Sequence, residues 1–171
     1  ISGVGRVGLL NAQLGAIHAI AANDTIEENG NAMIIMPTGS GKTTVLMMAP
    51  FILRKSKVLI VTPSALVRGQ ISDDFRNLTT LKEIGVFSDE TLGPKIFEAE
   101  KLYSNNQIDN IREANVVIAT HKVAMSISSE SISRSFDYII IDEAHHVPAP
   151  SWQSILNNMP NIPSLFVTAT P

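Results

Sequence analysis

One stretch constrains this chain more than any other: Met36-Pro37-Thr38-Gly39-Ser40-Gly41-Lys42-Thr43. It follows an apolar run, Ala32 to Met36, and opens a helix-like stretch at Lys42, which is the setting a phosphate-binding loop requires. Gly39 and Gly41 allow a tight turn that brings successive backbone N–H groups onto an anion. The helix that begins here adds unpaired amides and a positive dipole end. The expected nucleotide-binding set is therefore Pro37, Thr38, Gly39, Ser40, Gly41, Lys42, Thr43 and Thr44. Lys42 should reach the β- and γ-phosphates, and the Thr43 hydroxyl should ligate magnesium. Met36 stands where the glycine-led form of this Walker A loop has glycine, so the match is to the relaxed pattern.

Far downstream, Tyr138-Ile139-Ile140-Ile141 runs into Asp142-Glu143-Ala144-His145, an apolar strand that ends by presenting two adjacent carboxylates. Asp142 fits the acidic residue that holds magnesium in P-loop enzymes, and Glu143 is placed to orient or deprotonate the attacking water. Together the two sites describe an ATPase, with ATP and Mg2+ as its ligands and Lys42, Asp142 and Glu143 as its catalytic candidates.

A chain of 171 residues with 44% hydrophobic content can bury one substantial core, so residues 1–171 read as one domain. No apolar run is long enough to cross a bilayer and no signal peptide opens the chain, so a cytoplasmic setting without a membrane partner is the expectation. The absence of cysteine excludes disulfides and thiolate metal sites. The chain begins at Ile1 and stops at Thr170-Pro171, and reads as an excerpt of a longer protein.

Strands are expected at Ala32 to Met36, Val58 to Thr62, Val116 to Thr120, Tyr138 to Asp142 and Leu165 to Thr168, with a weaker one near Ile84 to Phe87. They are apolar on consecutive residues, as parallel strands covered on both faces must be. Helices are expected at Asn11 to Ala22, Lys42 to Ala49 (ended or kinked by Pro50), Ala65 to Asn77, His121 to Ser128 and around Trp152 to Asn157. This alternation predicts an α/β fold, a mostly parallel sheet sandwiched between helices. The polar stretch Ser88 to Ala114 reads as a surface excursion with a helical part and receives no function. The other polar motifs fall at strand carboxyl ends, where such sheets bind ligands.

These motifs, in this order, resemble the first RecA-like domain of a superfamily 2 helicase or translocase with a DEAH box. The similarity is greatest to the branch containing type I and type III restriction enzyme motor subunits. Met36 to Thr43 resembles motif I, Val61 to Val67 motif Ia, Ala119 to Lys122 motif Ib, Asp142 to His145 motif II and Thr168-Ala169-Thr170 motif III. The resemblance implies that Gln13 recognises adenine through its amide. It implies that His145, Thr168 and Thr170 couple the nucleotide site to a nucleic-acid groove. Ser64 and Thr120 would contact a sugar-phosphate backbone, supported by Arg68, His121 and Lys122. For Arg68 and Lys122 a solvated surface charge stands as the alternative, and Trp152 reads as a packing anchor rather than a base-stacking platform.

The net charge of −3 gives no broad basic surface, so nucleic acid must be held in a local groove or with the help of other parts of the protein. The leading expectation is an ATP-dependent motor half acting on DNA, with RNA left open. Its partners would be a second RecA-like domain of the same parent chain and, by the resemblance, nuclease or specificity subunits. The alternative is an ATP-gated switch that holds a protein or nucleic acid without stepping. A small-molecule phosphotransferase is disfavoured, because Glu143 beside Asp142 suits water activation and no acceptor site is evident.

Overall fold

Residues 8–26, 30–143 and 149–169 are described by a computed structural model. The helices are α1 (Asn11–Ile26), α2 (Lys42–Ile52), α3 (Ala65–Asn77), α4 (Thr79–Glu83), α5 (Ile108–Glu113), α6 (His121–Ser128) and α7 (Ala149–Asn158). The strands are β1 (Ala32–Ile35), β2 (Val58–Thr62), β3 (Ile96–Ala99), β4 (Val116–Thr120), β5 (Tyr138–Asp142) and β6 (Ser164–Thr168). They form one sheet in the order β1-β6-β5-β2-β4-β3, parallel at every pairing.

The continuous apolar runs are explained by two cores, one on each sheet face. Val58 and Ile60 of β2, Val116 and Ile118 of β4 and Ile140 of β5 face α1 to α4. Their chain neighbours Leu59, Val61, Val117, Ala119, Ile139 and Ile141 face α5 to α7. Side chains alternate along a strand, so both alternating sets must be apolar when both faces are covered. Strand β1 departs from this. It lies at the sheet edge, and while Ala32 and Ile34 pack on the first core, Met33 and Ile35 are 56% and 49% exposed.

Local chemistry sets the helix ends. The Ser64 hydroxyl accepts from the Val67 N–H at 3.3 Å and starts α3. A capping box between Ser104 and Gln107 leads through a short 3-10 turn into α5. Helix α2 runs through Pro50 to Ile52 rather than stopping at Ala49, because a proline in the last turn removes only one hydrogen bond. It closes with the Lys55 N–H on the Pro50 carbonyl and the Arg54 N–H on the Phe51 carbonyl, Arg54 taking the left-handed conformation at φ 53°.

Two expectations are corrected. Ile84 to Phe87 is not a strand: it terminates α4, with Gly85 at φ 75° and the Val86 N–H on the Leu81 carbonyl. Its apolar side chains pack on the core from this turn, Phe87 meeting Phe51 edge to face at 5.1 Å. The sixth strand lies instead at Ile96–Ala99, inside the stretch expected to be a surface excursion. Its partner β4 supplies the pairing, Ile96 opposite Val116 through Ala99 opposite Ala119.

Candidate nucleotide site

The loop expected to bind phosphate leaves β1 at Met36, whose N–H bonds the Thr168 carbonyl of β6 at 2.9 Å. Gly39 and Gly41 take φ values of 80° and 83°, which residues with a Cβ rarely adopt. The Ser40 hydroxyl donates to the Pro37 carbonyl at 2.6 Å and its N–H donates to the same oxygen at 3.1 Å, so the loop is self-braced. Pro37, Thr38 and Gly39 are exposed. Helix α2 begins at Lys42 with no side-chain cap on its first turn, and of its leading amides the Thr44 N–H is taken by the Gly41 carbonyl at 3.1 Å. Thr43 is exposed, whereas Thr44 is buried.

The acidic strand end lies against this loop. Glu143 sits one residue beyond β5, at φ 50°, with its N–H on the Val167 carbonyl at 2.8 Å. That left-handed turn is costly for a residue with a side chain. Its carboxylate bonds Lys42 Nζ at 2.7 Å through Oε1 and accepts from the Ala169 N–H at 3.4 Å through Oε2. One side chain thus links the phosphate loop to the end of β6. Asp142 is 9% exposed, and its pKa is pushed up to about 6, chiefly by burial and then by Glu143, with Lys42 opposing. Among the described residues no cluster of three or more His, Cys, Asp or Glu side chains could by itself hold a metal ion.

Gln13 is buried over the loop. Its Oε1 accepts from the Leu10 N–H at 2.8 Å and its Nε2 donates to the Gly41 carbonyl at 3.4 Å. A Cβ at Gly41 would stand 2.1 Å from that nitrogen, the movable end of a flexible side chain, so it is the φ of 83° rather than this contact that favours glycine. Thr168 is buried at the end of β6. His145 and Thr170 lie outside the described residues.

The residues expected to meet nucleic acid divide in two. Ser64 caps α3, and Thr120 precedes α6 at the carboxyl end of β4, both on the same sheet end as the phosphate loop. Lys122 is exposed, and His121 carries a buried Nδ1 with no hydrogen-bond partner. Arg68 is different: only 9% exposed, its guanidinium pairs with Glu98 at 3.2 Å and Glu100 at 3.4 Å and donates to the Ala99 carbonyl at 3.5 Å. It ties α3 to β3 rather than standing as a free cation. Sequence reasoning missed Glu98, Glu100 and the Ala169 amide, because nothing local links residues 30, 32 or 26 positions apart.

The family model described as "Type III restriction enzyme, res subunit" matches residues 6–171. A protein of Acanthamoeba polyphaga mimivirus named as an ATP-dependent RNA helicase, L396, is 27% identical over 84% of this chain and 24% of its own length. The XPB helicase/translocase subunit of the general transcription and DNA repair factor IIH from Schizosaccharomyces pombe is 27% identical over 83% of this chain and 18% of its own. The chain thus spans a quarter or less of these curated relatives. Among solved structures, the UvsW helicase of bacteriophage T4 superposes with a TM-score of 0.68 at 20% identity, over 98% of this chain and 55% of that one. The type ISP restriction-modification enzyme LlaGI, solved with a DNA substrate mimic, superposes with a TM-score of 0.64 at 20% identity, over 95% of this chain and 17% of that one.

Proposed function

The chain belongs to the family of type III restriction enzyme res subunits, and from that premise we propose that it is the ATP-binding half of a motor that couples ATP hydrolysis to movement along DNA. The observation that carries this reading is the 2.7 Å pair between Lys42 and Glu143, beside the buried carboxylate of Asp142. It sets a phosphate-seeking cation and a base side by side at the carboxyl ends of β1 and β5.

In this reading the phosphates of ATP take Lys42 away from Glu143. The freed Glu143 carboxylate then orients the attacking water and accepts its proton. The leading amides and positive dipole end of α2 favour the β-phosphate, and Gln13 turns its amide from Gly41 toward adenine. Thr43 and Asp142 would hold magnesium, a small donor set that suits an ion taking its other ligands from water and phosphate. When bound, that ion supplies charge neutralisation on the phosphate oxygens. Because Glu143 also holds the Ala169 N–H, its release would be felt at the end of β6, the region of the expected coupling residues.

Hydrolysis at full rate needs charge stabilisation from a second RecA-like domain, whose arginine finger in such motors contributes about 10³ to 10⁵ in rate. The greater length of the relatives supports such a domain in the parent protein. DNA as the track rests on the LlaGI complex and on the DNA-repair relative. The test is phosphate release by the full-length protein with ATP and magnesium, alone and with single-stranded DNA, duplex DNA or RNA. Stimulation by DNA is expected; a rate indifferent to every nucleic acid would favour an ATP-gated switch.

A further inference from the structure

The sheet end away from the phosphate loop carries a second recess. A cleft of about 340 Å³ opens at Val58 and Val116, the first residues of β2 and β4, with a floor of Pro50, Phe51, Phe75 and Pro94. Arg54 and Lys55 stand on its rim, and among the described residues no carboxylate lines it. In a chain of net charge −3 this is a local cationic rim over an apolar floor.

The walls are preformed. Gly93, just before Pro94, lies so close to α3 that a Cβ there would stand 2.3 Å from the Arg76 carbonyl oxygen, so this wall cannot move inward. Asn115 closes the opposite side, its Oδ1 accepting from the Lys95 N–H at 3.0 Å and its Nδ2 donating to the Ser56 carbonyl at 3.4 Å. The carboxylates bonded to this loop are already engaged: Asp137 accepts from the Ser56 and Lys57 N–H groups, and Asp24 pairs with Lys55 at 3.3 Å.

Arg54 is the exception. It is exposed, has no carboxylate partner among the described residues, and occupies a left-handed position where glycine would be free of strain. Phe51, three residues earlier on the same helix end, is 39% exposed. An unpaired guanidinium beside a half-open aromatic ring is the chemistry that receives a carboxylate and an adjoining apolar side chain together.

We propose that this cleft is a docking site for an acidic peptide segment of a partner protein, in which a carboxylate meets Arg54 while a neighbouring aromatic or branched aliphatic side chain fills the floor between Phe51 and Pro94. The volume suits one such side chain with its adjoining backbone. The site is separate from the nucleotide chemistry, yet α2 joins them: Lys42 is its first residue and Pro50 and Phe51 lie in its last turn. The proposal stands whether or not the motor reading holds.

The experiment is selection of random decapeptides displayed on phage against the protein, followed by fluorescence anisotropy of the enriched peptides on wild type, Arg54→Glu and Arg54→Gly. Enrichment of sequences pairing Asp or Glu with an aromatic or aliphatic residue is expected, with amide shifts at Ser56 and Asn115 on binding. Both variants should weaken binding about tenfold or more, the loss of one charge-assisted contact. Arg54→Gly relieves the left-handed strain, so its Tm should be no lower than wild type, which separates lost binding from lost folding. Failure to enrich any peptide, enrichment of peptides without acidic residues, or equal binding to Arg54→Glu would each overturn the proposal.

Discussion

Lys42 and Glu143 hold one another at 2.7 Å across the junction of α2 and β5, each less than a quarter exposed. The base expected to handle water is therefore paired with the cation expected to handle phosphate, and each would be released to its expected role when another anion displaces the carboxylate.

Removing either partner should have different consequences. Lys42→Ala should weaken nucleotide binding about 10- to 100-fold, the loss of a charge-assisted contact to phosphate. Glu143→Gln should leave affinity within about threefold of wild type and lower hydrolysis in the full-length protein by about 10² or more. Titration with a fluorescent nucleotide and single-turnover phosphate release check the pair; normal turnover by Glu143→Gln would remove it from the role of base.

Asp142 gives a pH signature. Its folded-state pKa is raised from 3.8 to about 6, so between these values the native state binds more protons than the unfolded one. This contribution is present in full below the unfolded value and is lost as pH rises through about 6. Asp142→Asn should accordingly raise stability at pH 7 to 8, by up to about 3 kcal/mol, and the gain should fade as pH falls from about 6 and vanish below 3.8. Tm measured against pH for both proteins checks the sign.

Lys57 is a structural prediction. Its ammonium donates to the carbonyls of Ile111, Arg112 and Ala114 at the carboxyl end of α5. Burial pulls its pKa below the ordinary lysine value, with Asp137 opposing. Lys57→Met would leave these carbonyls without that donor, costing about 1–3 kcal/mol in urea unfolding while leaving nucleotide affinity unchanged.

Arg68 and Lys122 should separate under salt. With full-length protein on DNA, Lys122→Ala should reduce the slope of log K against log salt by about one, as loss of one phosphate contact does. Arg68→Ala should leave that slope unchanged and instead lower Tm, because its guanidinium holds Glu98 and Glu100. An equal loss of slope in both would place Arg68 on the strand as well.

The sheet was legible in the sequence wherever both faces of a strand are buried, since β2, β4, β5 and β6 are then apolar at consecutive positions. It was not legible at β3, where Glu98 engages Arg68 and interrupts the apolar run. Ile84 to Phe87 misled for the opposite reason: its side chains reach the core from a turn made by Gly85. The expected phosphate loop and Asp142-Glu143 could be proposed from sequence because the chemistry that suggests them is local to a few residues. The Glu143 to Ala169 link and the clasp of Arg68 join distant segments, so only the folded chain brings them together.

Strand β1 lies at the rim of the sheet and leads into the expected phosphate loop, with one backbone edge unpaired among the described residues and Met33 and Ile35 exposed beside it. An open parallel edge with apolar neighbours is a template for any passing strand. At high concentration the chain by itself would be prone to self-association there, at the very strand that leads into the loop expected to bind nucleotide. Lysines at positions 33 and 35 would be the simplest means of keeping it monomeric in solution without disturbing the core-facing Ile34.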